Sequence, residues 1–114
     1  MSEGFSLHIT IHINPSDLPK FWEAFRPVYE KVIGEPECTF FEVYQSPEEP
    51  GTLSWVENWS KSKEWLLENQ ITKDYYRDYL AVTTPMFVKP REVKLLSRVA
   101  SYNMVKRSNG GFHD

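Results

Sequence analysis

Ser6-Leu7-His8-Ile9-Thr10-Ile11-His12-Ile13 alternates without a break, with Leu7, Ile9, Ile11 and Ile13 on one face and His8, Thr10 and His12 on the other. A period of two in β-branched residues marks a strand with one buried face. Asn14-Pro15-Ser16 ends it, and Ser16 or Asp17 can cap a helix. Leu18, Phe21, Trp22, Phe25, Val28, Tyr29 and Val32 then recur at helical spacing as one apolar stripe. Pro27 lies inside that stripe, where its missing N–H predicts a kink, and Gly34 is placed to end the helix.

The rest of the chain follows the same logic. Cys38 to Gln45 reads as a second strand, with Phe40 and Tyr44 on one face and Phe41 and Val43 on the other. Ser46-Pro47-Glu48-Glu49-Pro50-Gly51 is a turn leading into a third strand, Thr52 to Trp59, so the pair forms an antiparallel hairpin. Ser60 is placed to cap a second helix reaching about Gln70. Thr72 is placed to cap a third, which carries Tyr75, Tyr76, Tyr79 and Leu80. Glu92 to Ala100 reads as the last strand. The order β-α-β-β-α-α-β predicts an α+β, ferredoxin-like domain over residues 1–102. Its four-stranded antiparallel sheet carries helices on one face, and residues 103–114 form a flexible polar tail. Because the second strand has bulky groups on both faces, one face is left for association, and a homodimer packing sheet against sheet is expected.

At 114 residues the chain has room for one core. A net charge of −3 disfavours nucleic acid as a partner, and the basic stretch Lys89 to Arg98 reads as a solvated strand face. No apolar run approaches the roughly 20 residues of a membrane-spanning helix, so no membrane partner is expected. The first residues lack the basic and apolar regions of a secretory leader, and a lone Cys38 cannot form an internal disulfide. A cytoplasmic location is expected on both counts. Cys38 itself reads as a small buried apolar residue.

Aromatic residues make up 15% of the chain, with seven Phe, six Tyr and four Trp. Trp55, Glu57 and Trp59 share one face of the third strand, while Trp65 and Asn69, and Tyr75 and Tyr79, are pairs one helical turn apart. Such rings with polar handles suit either a core or a small-molecule pocket. Glu57 reads as half of a structural ion pair with an arginine of the last strand, in preference to an acid of raised pKa. His8 and His12 share a strand face but stand about 13 Å apart at Cα, too far for their parallel rings to share an ion, so no metal site is expected. No glycine-rich phosphate loop or dinucleotide fingerprint occurs, and no cofactor is expected.

Glu35-Pro36-Glu37-Cys38, then Phe41-Glu42-Val43-Tyr44-Gln45, then Val56-Glu57-Asn58-Trp59 leading into Ser62-Lys63-Glu64-Trp65, resembles the antibiotic biosynthesis monooxygenase family. Gln70-Ile71-Thr72-Lys73-Asp74-Tyr75-Tyr76 is similar to its fungal branch. The resemblance implies a dimeric α+β barrel, with a pocket between sheet and helices where aromatic polyketide-type substrates meet O2 without flavin, metal or nicotinamide. Relatives on the same fold degrade haem, rearrange signalling molecules or have no assigned reaction. By the resemblance, Trp59 matches the tryptophan that lines the pocket of quinone-forming members. Trp65 falls where those members carry a tyrosine, and Trp55 where they carry an asparagine. Asn69 and Tyr79 stand where haem-degrading members have a tryptophan and a ligating histidine, which argues against haem degradation. Glu37 replaces the glycine of the usual Pro-Gly-Cys.

The expected function is therefore cofactor-independent oxidation of a small phenolic or anthrone-like aromatic metabolite by O2. His12 would be the proton acceptor, Trp59, Asn69 and Tyr79 the donors to the substrate anion, and Trp55, Trp65 and Tyr75 the substrate contacts. A non-catalytic small-molecule-binding dimer and a lyase or cyclase on a similar substrate remain as alternatives.

Overall fold

The computed structural model describes residues 4–106. The chain runs through β1 (Phe5–His12), α1 (Leu18–Ile33), β2 (Cys38–Gln45), β3 (Thr52–Trp59), α2 (Lys63–Trp65), α3 (Tyr75–Thr83) and β4 (Glu92–Ser97). The strands form one antiparallel sheet in the order β2-β3-β1-β4, the expected ferredoxin-like arrangement. Among the described residues no helix is long and apolar enough to cross a membrane.

Alternation in β1 and β3 decides what the helices cover. Leu7, Ile9 and Ile11 of β1 and Leu53, Trp55 and Trp59 of β3 are buried against Phe21, Phe25, Val28 and Val32 of α1. Register places Leu7 opposite Glu57 and Ile9 opposite Trp55, so Glu57 stands in the middle of this apolar row. In β2 a bulge between Cys38 and Phe40 resets the register, after which Phe41 and Val43 face the helices and Phe40 and Tyr44 the open side. Cys38 is half-buried, and desolvation pushes its thiol up to about 11. At the hairpin, Gly51 lies so close to the end of β1 that any Cβ would strike the Ile13 carbonyl, and its own carbonyl accepts from Ile13 N–H at 2.8 Å.

Several boundaries depart from the sequence-based expectation. The Asn14 side chain caps a short 3-10 turn, Pro15–Asp17, by accepting from Ser16 N–H at 3.0 Å, and neither Ser16 nor Asp17 makes a side-chain cap for α1. α1 continues through Pro27 to Ile33. Ser62, not Ser60, caps α2, its hydroxyl accepting from Trp65 N–H at 3.1 Å. α2 then widens into a π-helical turn, Leu66–Gln70, and α3 starts at Tyr75 behind Asp74 instead of from Thr72. Thr72 donates its hydroxyl to the Glu68 carbonyl at 3.3 Å, which spends it on the preceding turn. β4 stops at Ser97, short of Ala100. Of the expected tail, residues 103–106 lack regular structure and residues 107–114 lie outside the described residues.

Candidate active site

Glu57 is the anomaly of the inner sheet face: a carboxyl only 7% exposed in a row of apolar side chains. Its flanking inward positions are both tryptophan, and residues two apart on a strand share a face at side-chain reach. Trp55 Nε1–H donates to Oε2 at 3.1 Å and Trp59 Nε1–H to Oε1 at 3.0 Å, so each indole holds one oxygen. Among the described residues no basic side chain forms an ion pair with it. The expected arginine partner is therefore replaced by two neutral donors, because the alternation of β3 sets an indole on either side of the carboxyl, while register sets apolar Leu7 and Phe41 opposite it. Desolvation outweighs these two bonds and pushes the Glu57 carboxyl from 4.5 up to about 7.

Glu57 opens into a cavity of about 330 Å³ between the sheet and the helices. Leu7 and Ile9 of β1, Phe41 of β2 and Trp55 of β3 form the floor, and Phe25, Val28, Tyr29 and Val32 of α1 one wall. Leu66, Leu67 and Ile71 around the π-helical turn, with Tyr76, Tyr79 and Leu80 of α3, make the other, and Arg91, Val93 and Leu95 complete it at the β4 edge. The rings interlock, with Phe25 at 5.0 Å from Trp55 and 6.0 Å from Tyr79 between centroids. Burial raises both the Tyr76 and the Tyr79 hydroxyl well above ordinary phenol values, and the nearby Glu57 charge adds to this. Both remain O–H donors throughout the neutral range.

A second cluster braces α3. Gln70, fully buried, donates Nε2–H to the hydroxyls of Tyr75 at 2.6 Å and Tyr76 at 2.7 Å. Tyr75 in turn donates to Glu35 Oε2 at 2.8 Å, and Lys73 pairs with the same oxygen at 2.8 Å. Those two bonds hold the Glu35 carboxyl below its usual range, while burial and the Glu35 contact push Tyr75 up to about 12.

The residues named from sequence thus divide. Trp55 and Tyr79 line the cavity. Trp59 is fully buried behind it and reaches it only through Glu57, and Trp65 packs on Trp59 at 6.3 Å. Tyr75 belongs to the Glu35 cluster. Asn69 is exposed and donates its amide to the Trp65 carbonyl at 3.2 Å, since the π-helical turn brings Gln70 inward in its place. His12 lies on the opposite face of the sheet from the cavity, as its place in the β1 alternation requires. It sits 3.2 Å from Thr52 Oγ1 and 3.0 Å from Glu92 Oε2, a contact that lowers the Glu92 carboxyl. His8 bonds Ser6 Oγ at 2.9 Å, and among the described residues no group of three His, Cys, Asp or Glu could hold a metal. Sequence reasoning passed over Tyr76, Gln70 and Arg91. Tyr76 and Tyr79 are one turn apart, a spacing that pairs them on one helical face.

The model of the antibiotic biosynthesis monooxygenase family matches residues 4–66. A Pestalotiopsis microspora protein that carries the provisional name monooxygenase is 35% identical over 101 residues, 89% of this chain and 84% of that one. This chain belongs to the antibiotic biosynthesis monooxygenase family. The fold of this family member also matches a conserved protein of Methanosarcina mazei, with a TM-score of 0.75, 20% identity and 84% and 93% of the two chains covered. A Caulobacter crescentus structure provisionally named an antibiotic biosynthesis monooxygenase gives a TM-score of 0.75 at 21% identity, over 85% and 92%.

The raised carboxyl makes a stability prediction for this family member. A rise from 4.5 to about 7 corresponds to about 3 kcal/mol of preference for the protonated form. Between those values the folded state holds a proton that the unfolded state has lost, so stability is full below about 4.5 and falls as pH rises through about 7. Urea unfolding of the parent should show this decline, and Glu57→Gln, which cannot ionise, should flatten it. A parent curve with no decline over that range would contradict the assignment.

Proposed function

We propose that this chain is a monooxygenase that oxidises a small phenolic or anthrone-like aromatic with O2, the substrate itself supplying the electrons. The observation that carries this reading is Glu57, a carboxyl poised near neutrality at the wall of an otherwise aromatic and aliphatic cavity. A base works best with a pKa near the working pH, and Glu57 meets that condition where His12, on the far face, has no access to the cavity.

In this mechanism the aromatic methylene or phenol enters the cavity and Glu57 takes its proton. Tyr76 and Tyr79 donate hydrogen bonds to the enolate or phenolate oxygen, and the apolar walls keep water from the anion. The anion passes one electron to O2, and the resulting radical and superoxide combine into a peroxide that takes the proton back. Loss of water breaks the O–O bond and leaves a carbonyl, so that a CH2 group and O2 give C=O and H2O. Trp55 and Trp59 act through Glu57: they fix its two oxygens and restrain its pKa. The same reading includes a homodimer. Half-buried Phe40 and Val56 and exposed Leu96 lie on the face away from the helices, and β4, which walls the cavity, is exposed on every residue.

Oxygen uptake with anthrone as substrate tests the chemistry. Glu57→Gln should lower turnover by at least about a hundredfold, the usual contribution of a general base. Tyr76→Phe should lower it by about tenfold to a hundredfold, the value of one hydrogen bond to a charged group. Trp59→Phe removes a bond that lowers the Glu57 pKa, so its pH–rate profile should move to higher pH. His12→Gln should match the parent. Loss of turnover in His12→Gln with an unaffected Glu57→Gln would overturn the assignment, and ligand binding with no oxidation by the parent would replace the oxygenase reading with a binding one.

Sedimentation tests the dimer separately. A species of twice the 13.4 kDa chain mass at micromolar concentration is expected, and a 13.4 kDa species would contradict it.

A further inference from the structure

The cavity carries one feature that the oxygenase chemistry does not use. Arg91, just before β4, is the one basic residue among the described residues that line it. It is exposed, whereas Glu57, in the lining of the same cavity, is buried, so Arg91 belongs to the solvent side of the cavity. Among the described residues no carboxylate lies within ion-pair distance of Arg91. Glu57, which lines the same cavity, forms no ion pair with it. The Tyr79 hydroxyl, whose pKa burial raises, lies close enough to feel both charges: Arg91 pulls that pKa down and Glu57 pushes it up.

A guanidinium at the mouth of an apolar slot presents a planar fork that matches a carboxylate, which a ligand can supply. We infer that Arg91 selects substrates bearing a carboxylate, so that the cavity takes hydroxy-aromatic acids with the ring among Phe25, Phe41 and Trp55, the phenol at Glu57 and the carboxylate at Arg91. This names the substrate class of the proposed oxygenase and rests on that reading for the orientation of the ring.

Trp55 lies in the cavity wall, so quenching of tryptophan fluorescence reports binding. The probes are anthraquinone-2-carboxylate and its methyl ester, which share the ring system and differ in charge. The parent should bind the acid about tenfold more tightly than the ester, the lower end for a charged hydrogen bond because the site is exposed. That preference should shrink as salt is raised from about 0.01 M to 1 M, over which the screening length falls roughly tenfold. Arg91→Met should abolish the preference while leaving ester affinity unchanged, and Arg91→Lys, which keeps the charge without the fork, should restore part of it. Equal affinity for the two probes, a preference that survives in Arg91→Met, or binding of neither probe overturns the inference. Oxidation of neutral anthrone is read in parallel. If Arg91→Met loses the acid preference while the parent fails to oxidise anthrone, the carboxylate site stands and the oxygenase reading alone falls.

Discussion

Two indole N–H groups holding one buried carboxylate is the arrangement on which the rest of this structure turns. Burying a carboxylate without a counter-charge is costly, and two neutral donors offset only part of that cost. The residual penalty appears as a pKa near neutrality. Glu57 is therefore a destabilising residue at the pH where it is most reactive, and the well-packed aromatic cluster of Phe21, Phe25, Trp55 and Tyr79 around it supplies compensating burial.

The fold sets this geometry through alternation. Tryptophans at the two inward positions flanking Glu57 can reach it only because β3 is an unbroken central strand, paired along its length with β1 and β2. The same alternation gives the sheet two faces of different character. One holds the cavity, and the other carries His8, Thr10 and His12 among polar cross-strand contacts such as Thr10 to Ser54 at 2.8 Å. The helices add what the sheet cannot: Tyr76 and Tyr79 from α3, with Tyr76 held by Gln70 from the π-helical turn. A wide turn of this kind often marks a functional site, and here it brings an amide inward to brace a cavity tyrosine.

The strands and α1 were largely legible because their periods are clean: spacing alone picks out Leu7, Ile9 and Ile11 of β1 and Phe21, Phe25, Val28 and Val32 of α1, though it misses the buried Phe5 and counts in Trp22, which is exposed. The segment from Ser60 to Asp74 was not. A π-helical turn inserts an extra residue per turn, so a count based on a regular helix points Asn69 inward when Gln70 occupies that position. Ser60 and Ser62 are equally good caps by residue type, and only the backbone decides between them. The site was half legible for a similar reason. Trp55, Trp59 and Tyr79 stand out as rings with polar handles, but the pairing of both indoles with Glu57 depends on side-chain geometry that one-dimensional spacing leaves open. Alternation places His12 on the face opposite Ile11, and so away from the helices, which is reason enough to keep it out of the site. Arg91 falls in a basic stretch that reads as solvent-facing, and its place in the cavity lining emerges only from the folded arrangement.

The account stands on the protonation of Glu57 in the folded protein, and that can be observed directly. Carbon-13 NMR of the side-chain carboxyls, with Glu57 assigned by its absence in Glu57→Gln, follows each group through its titration. The account predicts a Glu57 midpoint near 7, well apart from the exposed glutamates. A midpoint at the ordinary 4.5 would contradict it, because a carboxyl already ionised in that row would be neither strained by burial nor matched to the proton it is proposed to take.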